Sequence, residues 1–393
     1  MDNVAAASSG SFPKALGNRA LSRRRFLTGS AGAAAGLTVL GGALAACGSD
    51  SGGKGEVVVL SWESYVAKEI MAGFEKTTGI KVKGVAAESD QDMFAKIKAG
   101  GGSQYDIVFG NCGWAPTYHQ NDLTEVLDLA QIPASKDLFP VFTEDPSLPY
   151  VISPGKVLLY PNMWAALSLA WNVDAPYQPS MPLSWNALWQ APKNKAILEG
   201  SAEDFIALAG LANGVPRKDI YAMQGPTLDA AAAKLGSLKP FQISKNSDDA
   251  IARALASQGA YAGFASSLGM AQRANSQFGQ GKVVVKAEVP TEGSIGWIDG
   301  PQLVKNAKNR DNALTFINYF GGDVANQEYL WGANFYSQCS RVSTDRVIAA
   351  GGEGATVAKS LGSDRPDLAK QLVFQAQPQH PDAWAAAYDQ VMG

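Results

Sequence analysis

From residue 56 to residue 110 the apolar positions fall into short blocks that alternate between a strand pattern and a helix pattern. Val57 to Leu60 is a continuous apolar run of strand length, as expected of a strand buried on both faces. Val66, Ile70 and Phe74, with Met71 beside them, recur every four residues and form one stripe of a helix that Gly79 can end. Ile80, Val82 and Val85 give a second strand, Met93 and Ile97 a second helix running into Gly100-Gly101-Gly102, and Ile107 to Phe109 a third strand. This alternation predicts a parallel sheet with helices packed on it. Further on, Ala166 to Trp171 reads as a strand, Ser184 to Trp189 as a short helix, and Phe205 to Leu211 and Leu228 to Leu235 as helices. Strand character returns at Ala260 to Phe264, Val283 to Val285 and Gly296 to Gly300, and Ala313, Phe316, Ile317 and Phe320 mark one face of a later helix.

The chain ahead of these blocks has a different character. Ser22-Arg23-Arg24-Arg25-Phe26-Leu27 precedes a run of Ala, Gly, Leu and Val that extends to Ala46, the shape of a secretory leader. Gly29, Gly32, Gly36, Gly41 and Gly42 make that run too weakly apolar for a membrane span, which needs about 20 predominantly apolar residues. Leu44-Ala45-Ala46 leads into Cys47, a candidate lipidation site, and residues 48–55 read as a flexible Gly/Ser tether. What remains of the 393 residues suffices for two domains with their own cores. With 33 basic and 36 acidic residues the net charge is −3, which argues against a nucleic-acid or anionic-membrane surface. Outside the cell thiols oxidise, so Cys112 and Cys339 are a candidate disulfide; two free buried cysteines are the alternative.

In α/β sheets ligands collect beyond the carboxyl ends of the strands. Ser61-Trp62-Glu63-Ser64-Tyr65 and Gly110-Asn111-Cys112-Gly113-Trp114 both fall there. Any one of these aromatics could simply be core, but two such loops, each with a Trp among polar groups, point to a binding site. Catalytic and metal motifs are missing, and the two histidines, His119 and His380, stand far from any nucleophile or second ligand. The expectation is a non-enzyme without metal or cofactor, although carboxylate catalysis by Glu203 and Asp204 with Asp299 stays open. Trp62, Trp114 and Trp297 offer ring faces while Glu63, Glu203 and Asp299 offer acceptors. A cationic amine uses both, through cation–π contact and charge-assisted hydrogen bonds. A sugar would also stack on rings and bond to acids; an anion is disfavoured.

The quoted segments carry three resemblances. Ser22 to Leu27 resembles the twin-arginine export motif, and Leu44 to Cys47 resembles a bacterial lipobox, which implies export by the twin-arginine route and a lipid anchor at Cys47 on the outer face of the cell membrane. Ser61 to Tyr65, Phe74 to Val82, Tyr105 to Val108, Gly296 to Gly300, Asn306 to Asn309 and Phe316-Ile317 resemble the polyamine-binding (spermidine/putrescine) receptors of ABC importers. That resemblance implies an α/β, type II-like periplasmic-binding-protein fold with mixed sheets flanked by helices and a ligand cleft between two lobes. It implies residues 56–165 and 300–393 as lobe 1, residues 166–299 as lobe 2, a monomer, and partners in an ABC permease and its cytoplasmic ATPase. By position, Trp62 and Tyr65 would wall a cationic solute, Trp297 would stack along its methylenes, Asp299 would pair with an ammonium, and Glu203 would be a second acid. The chain departs from the family pattern at Ser64, where an acid is usual, at Asn111 and Gly113, where Ser and Tyr are usual, and near Ser266, where a pocket tryptophan is expected. A different amine, another small polar solute, a secreted hydrolase on the same fold and a sensor therefore stay open as alternatives.

Overall fold

The computed structural model describes residues 55–62, 65, 68–238, 242–244, 248–322 and 336–392. The expected leader 1–46, Cys47, residues 48–54, and Glu63, Ser64 and Val66 of the first strand-end loop lie outside the described residues. The first blocks fold as their patterns dictate. β1 (Glu56–Ser61) is buried from Val57 onward. α1 (Lys68–Thr78) turns Ile70 and Phe74 into the core and ends at Gly79, whose φ of 77° suits a residue without a Cβ. β2 (Lys81–Ala86) follows, then α2 (Asp90–Gly100), whose N-cap Ser89 accepts a hydrogen bond from Asp92 N, and β3 (Ile107–Asn111). β1 runs parallel to both β2 and β3.

α3 (Ala115–Gln120) leads to a small three-stranded sheet of β4 (Leu127–Asp128), β5 (Val151–Ser153) and β6 (Lys156–Val157). The apolar run read as one strand from Ala166 to Trp171 is in fact parts of two, β7 (Met163–Ala166) and β8 (Ser168–Asn172), in different sheets. Both are buried throughout, so no change of hydrophobic pattern marks the break at Leu167. Next come α4 (Ala187–Gln190), β9 (Ala196–Glu199), α5 (Ala202–Ala212), α6 (Gly225–Gly236), β10 (Gln242–Ser244), α7 (Asp248–Ala256), β11 (Ala262–Ala265), α8 (Gly269–Phe278) and β12 (Val285–Glu288). The chain returns in β13 (Ser294–Leu303) and continues through α9 (Arg310–Gly322), β14 (Ser337–Gln338), α10 (Arg341–Ala350), α11 (Gly352–Ser360), β15 (Leu372–Phe374) and α12 (Pro381–Met392).

Two sheets organise the lobes. The first has the order β14-β7-β13-β3-β1-β2 with β15 also on β13, and the second has the order β10-β9-β11-β8-β12. Both are mixed: β13 is antiparallel to β3 and β7, and β8 is antiparallel to β11 and β12. The C-terminal segment divides between them. β15 lies on the first sheet, whereas α12 packs on α5 and α6, with Tyr388 stacked on Phe205 at 6.4 Å and Trp384 stacked on Tyr221 at 5.9 Å. The end of the segment assigned from sequence to lobe 1 thus rests on helices that follow the second sheet's strands, because the apolar side of α12, with Trp384 and Ala387 buried, has its complement there.

The disulfide considered for Cys112 and Cys339 is not made; both are free, buried thiols. Cys112 follows β3 and Cys339 follows β14, and β13 and β7 lie between those strands. Three inter-strand spacings separate them by roughly 14 Å, twice the Cα separation of about 7 Å that a disulfide tolerates.

Candidate functional site

The carboxyl ends of β1, β3, β9 and β11 open on one cleft of about 1080 Å³. It is lined by Trp62, Asn111, Trp114, Glu203, Trp297 and Asp299, together with Tyr65. Each candidate ligand residue expected from sequence that lies among the described residues therefore lines it, while Cys112 and Cys339 do not. Glu63 lies outside them.

Asp299 sits where the sheet register puts it, in β13 opposite Asn111 of β3 and Met163 of β7. Gly300 beside it allows this approach, since a Cβ there would fall 1.8 Å from the backbone oxygen of Tyr160. Tyr65 OH donates to Asp299 Oδ2 at 2.9 Å, and Asn111 Nδ2 donates to Oδ1 at 3.2 Å. The Tyr65 ring meets Trp62 edge-on at 5.6 Å, which fixes the aromatic wall beside the carboxylate. No ion pair of Asp299 or Asp90 with a basic side chain is found among the described residues.

Asp90, the first residue of α2, is the neighbour that sequence reasoning missed. Its Oδ1 accepts from Asn111 N at 3.3 Å, so one asparagine touches both acids. Burial, and then the Asp90 charge, push Asp299 up to about 8 against the opposing pull of Tyr65 and Asn111. Burial likewise pushes Asp90 up to about 7. A cation entering here would replace the solvation that both carboxylates have lost.

Two residues along β13, on the same face, Trp297 directs its Nε1 to Ser266 O at 2.9 Å and meets Tyr336 edge-on at 4.7 Å. Ser266 stands where a pocket tryptophan was expected, and its Oγ donates to Asp248 Oδ1 at 2.7 Å. Asp248 Oδ2 also accepts from Tyr336 OH at 3.2 Å and pairs with Arg273 at 3.2 Å, while Asp249 takes Arg273 at 3.0 Å. Glu199, last in β9, adds another acid to this wall and is buried. Trp114 borders the cleft elsewhere, packed on Phe94 at 5.8 Å.

Of the adjacent pair Glu203 and Asp204, both line the cleft, but Glu203 is exposed and Asp204 is buried. Asp204 forms a capping box with Ser201 at the start of α5 and accepts from Gln375 Nε2 at 2.8 Å. Gln375, just after β15, accepts in turn from Asn111 Nδ2 at 2.8 Å. The Ser201-Ala202-Glu203-Asp204 spacing was a legible cap signal that singles out Asp204; nothing in the sequence around Gln375 announces its place.

Two α/β lobes, a cleft at the strand ends, aromatic walls and recessed acids define a solute-binding protein of the periplasmic type. Residues 69–345 match the model of the bacterial extracellular solute-binding proteins, and the chain belongs to that family. It is 27% identical to the spermidine/putrescine-binding periplasmic protein of Salmonella typhimurium over 262 residues, 66% of this chain and 70% of that one. It is 25% identical to the putrescine-binding periplasmic protein of Escherichia coli over 316 residues, 74% and 80% of the two chains. Among solved structures, the spermidine/putrescine ABC transporter substrate-binding protein of Streptococcus pneumoniae shares the fold at a TM-score of 0.68 and 22% identity, covering 86% of this chain and 97% of that one. A lipoprotein of Treponema pallidum does so at 0.66 and 18%, covering 86% and 99%.

Proposed function

We propose that the protein captures a polyamine or similar cationic amine between its lobes and delivers it to an ABC permease driven by a cytoplasmic ATPase, without catalysing a reaction. The observation that carries this reading is Asp299, a recessed carboxylate held by Tyr65 and Asn111 beside the Trp62 and Trp297 rings, with an ammonium as its natural counter-ion. The spermidine- and putrescine-binding relatives support the same ligand class. The lobe partition is proposed as residues 56–165 with the chain from 300 to β15 for lobe 1, and residues 166–299 with α12 for lobe 2. Export by the twin-arginine route and a lipid anchor at Cys47 complete the proposal, in keeping with the lipoprotein among the solved structures.

Calorimetry of the full chain in detergent against putrescine, spermidine, monoamines and sugars tests the ligand class. Amines should bind and sugars should not, and Asp299→Ala should weaken amine binding tenfold or more, about 1.4 kcal/mol. A loss under threefold, or binding of sugars in place of amines, overturns the assignment. Cys47→Ser should release the protein from membranes; unchanged retention refutes the anchor.

A further inference from the structure

We infer that a water is bound behind the cleft floor, between Gln302, Tyr118 and Asp90, and that Gln302 and Tyr118 are thereby positioning residues for the amine site, because they fix the Asp90 carboxyl that lines it. The inference rests on the amine reading and concerns residues that the reading does not use.

Gln302 is the pointer. It stands an odd number of residues beyond Asp299 in β13 and so faces the other side of the sheet, where Met93 and Ile97 of α2 and Tyr118 of α3 pack on Val108. Its side chain is fully buried, yet neither Nε2 nor Oε1 has a hydrogen-bond partner among the described residues, and the same holds for the OH of fully buried Tyr118. The groups meet over Gly110. A Cβ built there would lie 2.8 Å from Gln302 Nε2, 3.9 Å from Asp90 Oδ1 and 3.9 Å from Tyr118 Cε2, the carbon next to the one that bears the OH. The φ of Gly110 lies outside the left-handed region, so this glycine serves space and not backbone freedom. An amide and a phenol left unpaired in one buried place are costly and uncommon in folded proteins. A water seated over Gly110 answers all of them, since it meets an amide, a hydroxyl and a carboxylate, the set of polar partners that holds buried water in place.

The same water reaches the cleft through Asp90. Asp90 Oδ1 accepts from Asn111 N at 3.3 Å, and Asn111 Nδ2 donates to Asp299 Oδ1 at 3.2 Å, so the water extends to Gln302 a chain that begins at the amine carboxylate. A donor behind the Asp90 carboxyl favours its ionised form, the form that attracts a cation. The other groups facing Asp90 do not help it: Asp299 of β13, Tyr65 after β1, Tyr118 of α3 and Cys112 after β3 would each repel its charge when ionised. On its own side of the cleft Glu88 is a further acid, and the Lys96 of α2 is engaged by Asp92. Stabilising the Asp90 charge therefore falls to Asn111 and the water.

Calorimetry of the full chain in detergent, with 1,4-diaminobutane as probe at pH 6.5 and at pH 9, compares the wild type with Gln302→Met, Tyr118→Phe and Gly110→Ala. Gln302→Met keeps a similar volume and removes both polar atoms, while Gly110→Ala fills the space of the water. Each should weaken binding fivefold or more at pH 6.5 and less than twofold at pH 9, because losing the donor raises the Asp90 pKa and a higher pH restores the charge. Urea titration checks that each variant folds, and should Gln302→Met fail to, Tyr118→Phe and Gly110→Ala decide. A loss of equal size at both pH values means a packing role alone and overturns the positioning role. Affinity within twofold at both pH values, with Gln302→Met more stable than the wild type, means that the amide is an unpaired burden and overturns the water as well. In both cases the wild type still binds the diamine and the amine reading stands. If the wild type binds no diamine at either pH, the amine reading itself falls, and this inference with it.

Discussion

Asp299 and Asp90 share a neighbour, Asn111, and a problem: neither makes an ion pair with a basic side chain among the described residues. Burial holds Asp299 up to about 8 and Asp90 up to about 7, far above the unfolded value near 4. A carboxyl whose pKa is raised on folding makes the native state bind more protons than the unfolded one between the two values, so stability falls as pH rises through that window. The unliganded protein should therefore lose stability from about pH 4 to about pH 8, and Asp299→Asn should flatten that decline in denaturant titrations at each pH. Amine binding should run the other way: affinity rises with pH up to about 8, and calorimetry in buffers of different ionisation heat should find protons released on binding. A pH-independent affinity between 5 and 8 would contradict the assignment of Asp299. At this scale the sequence showed Trp62, Tyr65, Asn111, Trp114, Trp297 and Asp299 because each is near the end of a legible strand or within one. Asp90, Glu199 and Asp248 were hidden for a physical reason, since an acid opening a helix or closing a strand reads as a cap or a solvated face until the fold turns it inward.

β13 does more than any other element to place these groups. Its ten residues are buried throughout, and its two edges take β7 on one side and β3 and β15 on the other. Gly300 makes that sharing possible by letting the backbone near Tyr160 come close. Gly300→Ala should cost roughly 2–3 kcal/mol or more, the range for overpacking a tight site. Urea titration would measure the stability, with amine affinity falling alongside because Asp299 is the next residue. A loss below 0.5 kcal/mol would show that the strand can shift without consequence. β1, β2, β3 and β13 of the first sheet were legible since each apolar block was bounded by a turn or a glycine, whereas β7, β14 and β15 were not read. The crossing at Leu167 was not, because strands buried on both faces present unbroken apolar sequence whichever sheet they join.

Across the whole molecule the C-terminal segment works as a clasp. After β15 on the first sheet, Gln375 accepts from Asn111 and donates to Asp204, and the chain then ends in α12 against α5 and α6. No apolar stripe was read from the sequence past Phe320, so the partner surfaces of these helices came only from three-dimensional complementarity. Trp384 is the anchor: it is 2% exposed, its Nε1 donates to Met223 O at 3.0 Å, and its ring stacks on Tyr221, a residue of the cleft. Trp384→Ala should cost about 3–5 kcal/mol, as expected for emptying a buried aromatic site, and should loosen Tyr221 and Gln375 with it. Trp384→Phe keeps the stack and loses the hydrogen bond, so it should cost only about 1–2 kcal/mol. Hydrogen exchange on the two variants separates a local effect from a global one. Faster exchange in α12 and the cleft-facing turn around Tyr221, ahead of β1 and β3, is the expected pattern. Uniform acceleration through both sheets would mean that α12 stabilises the fold as a whole and has no special hold on the cleft.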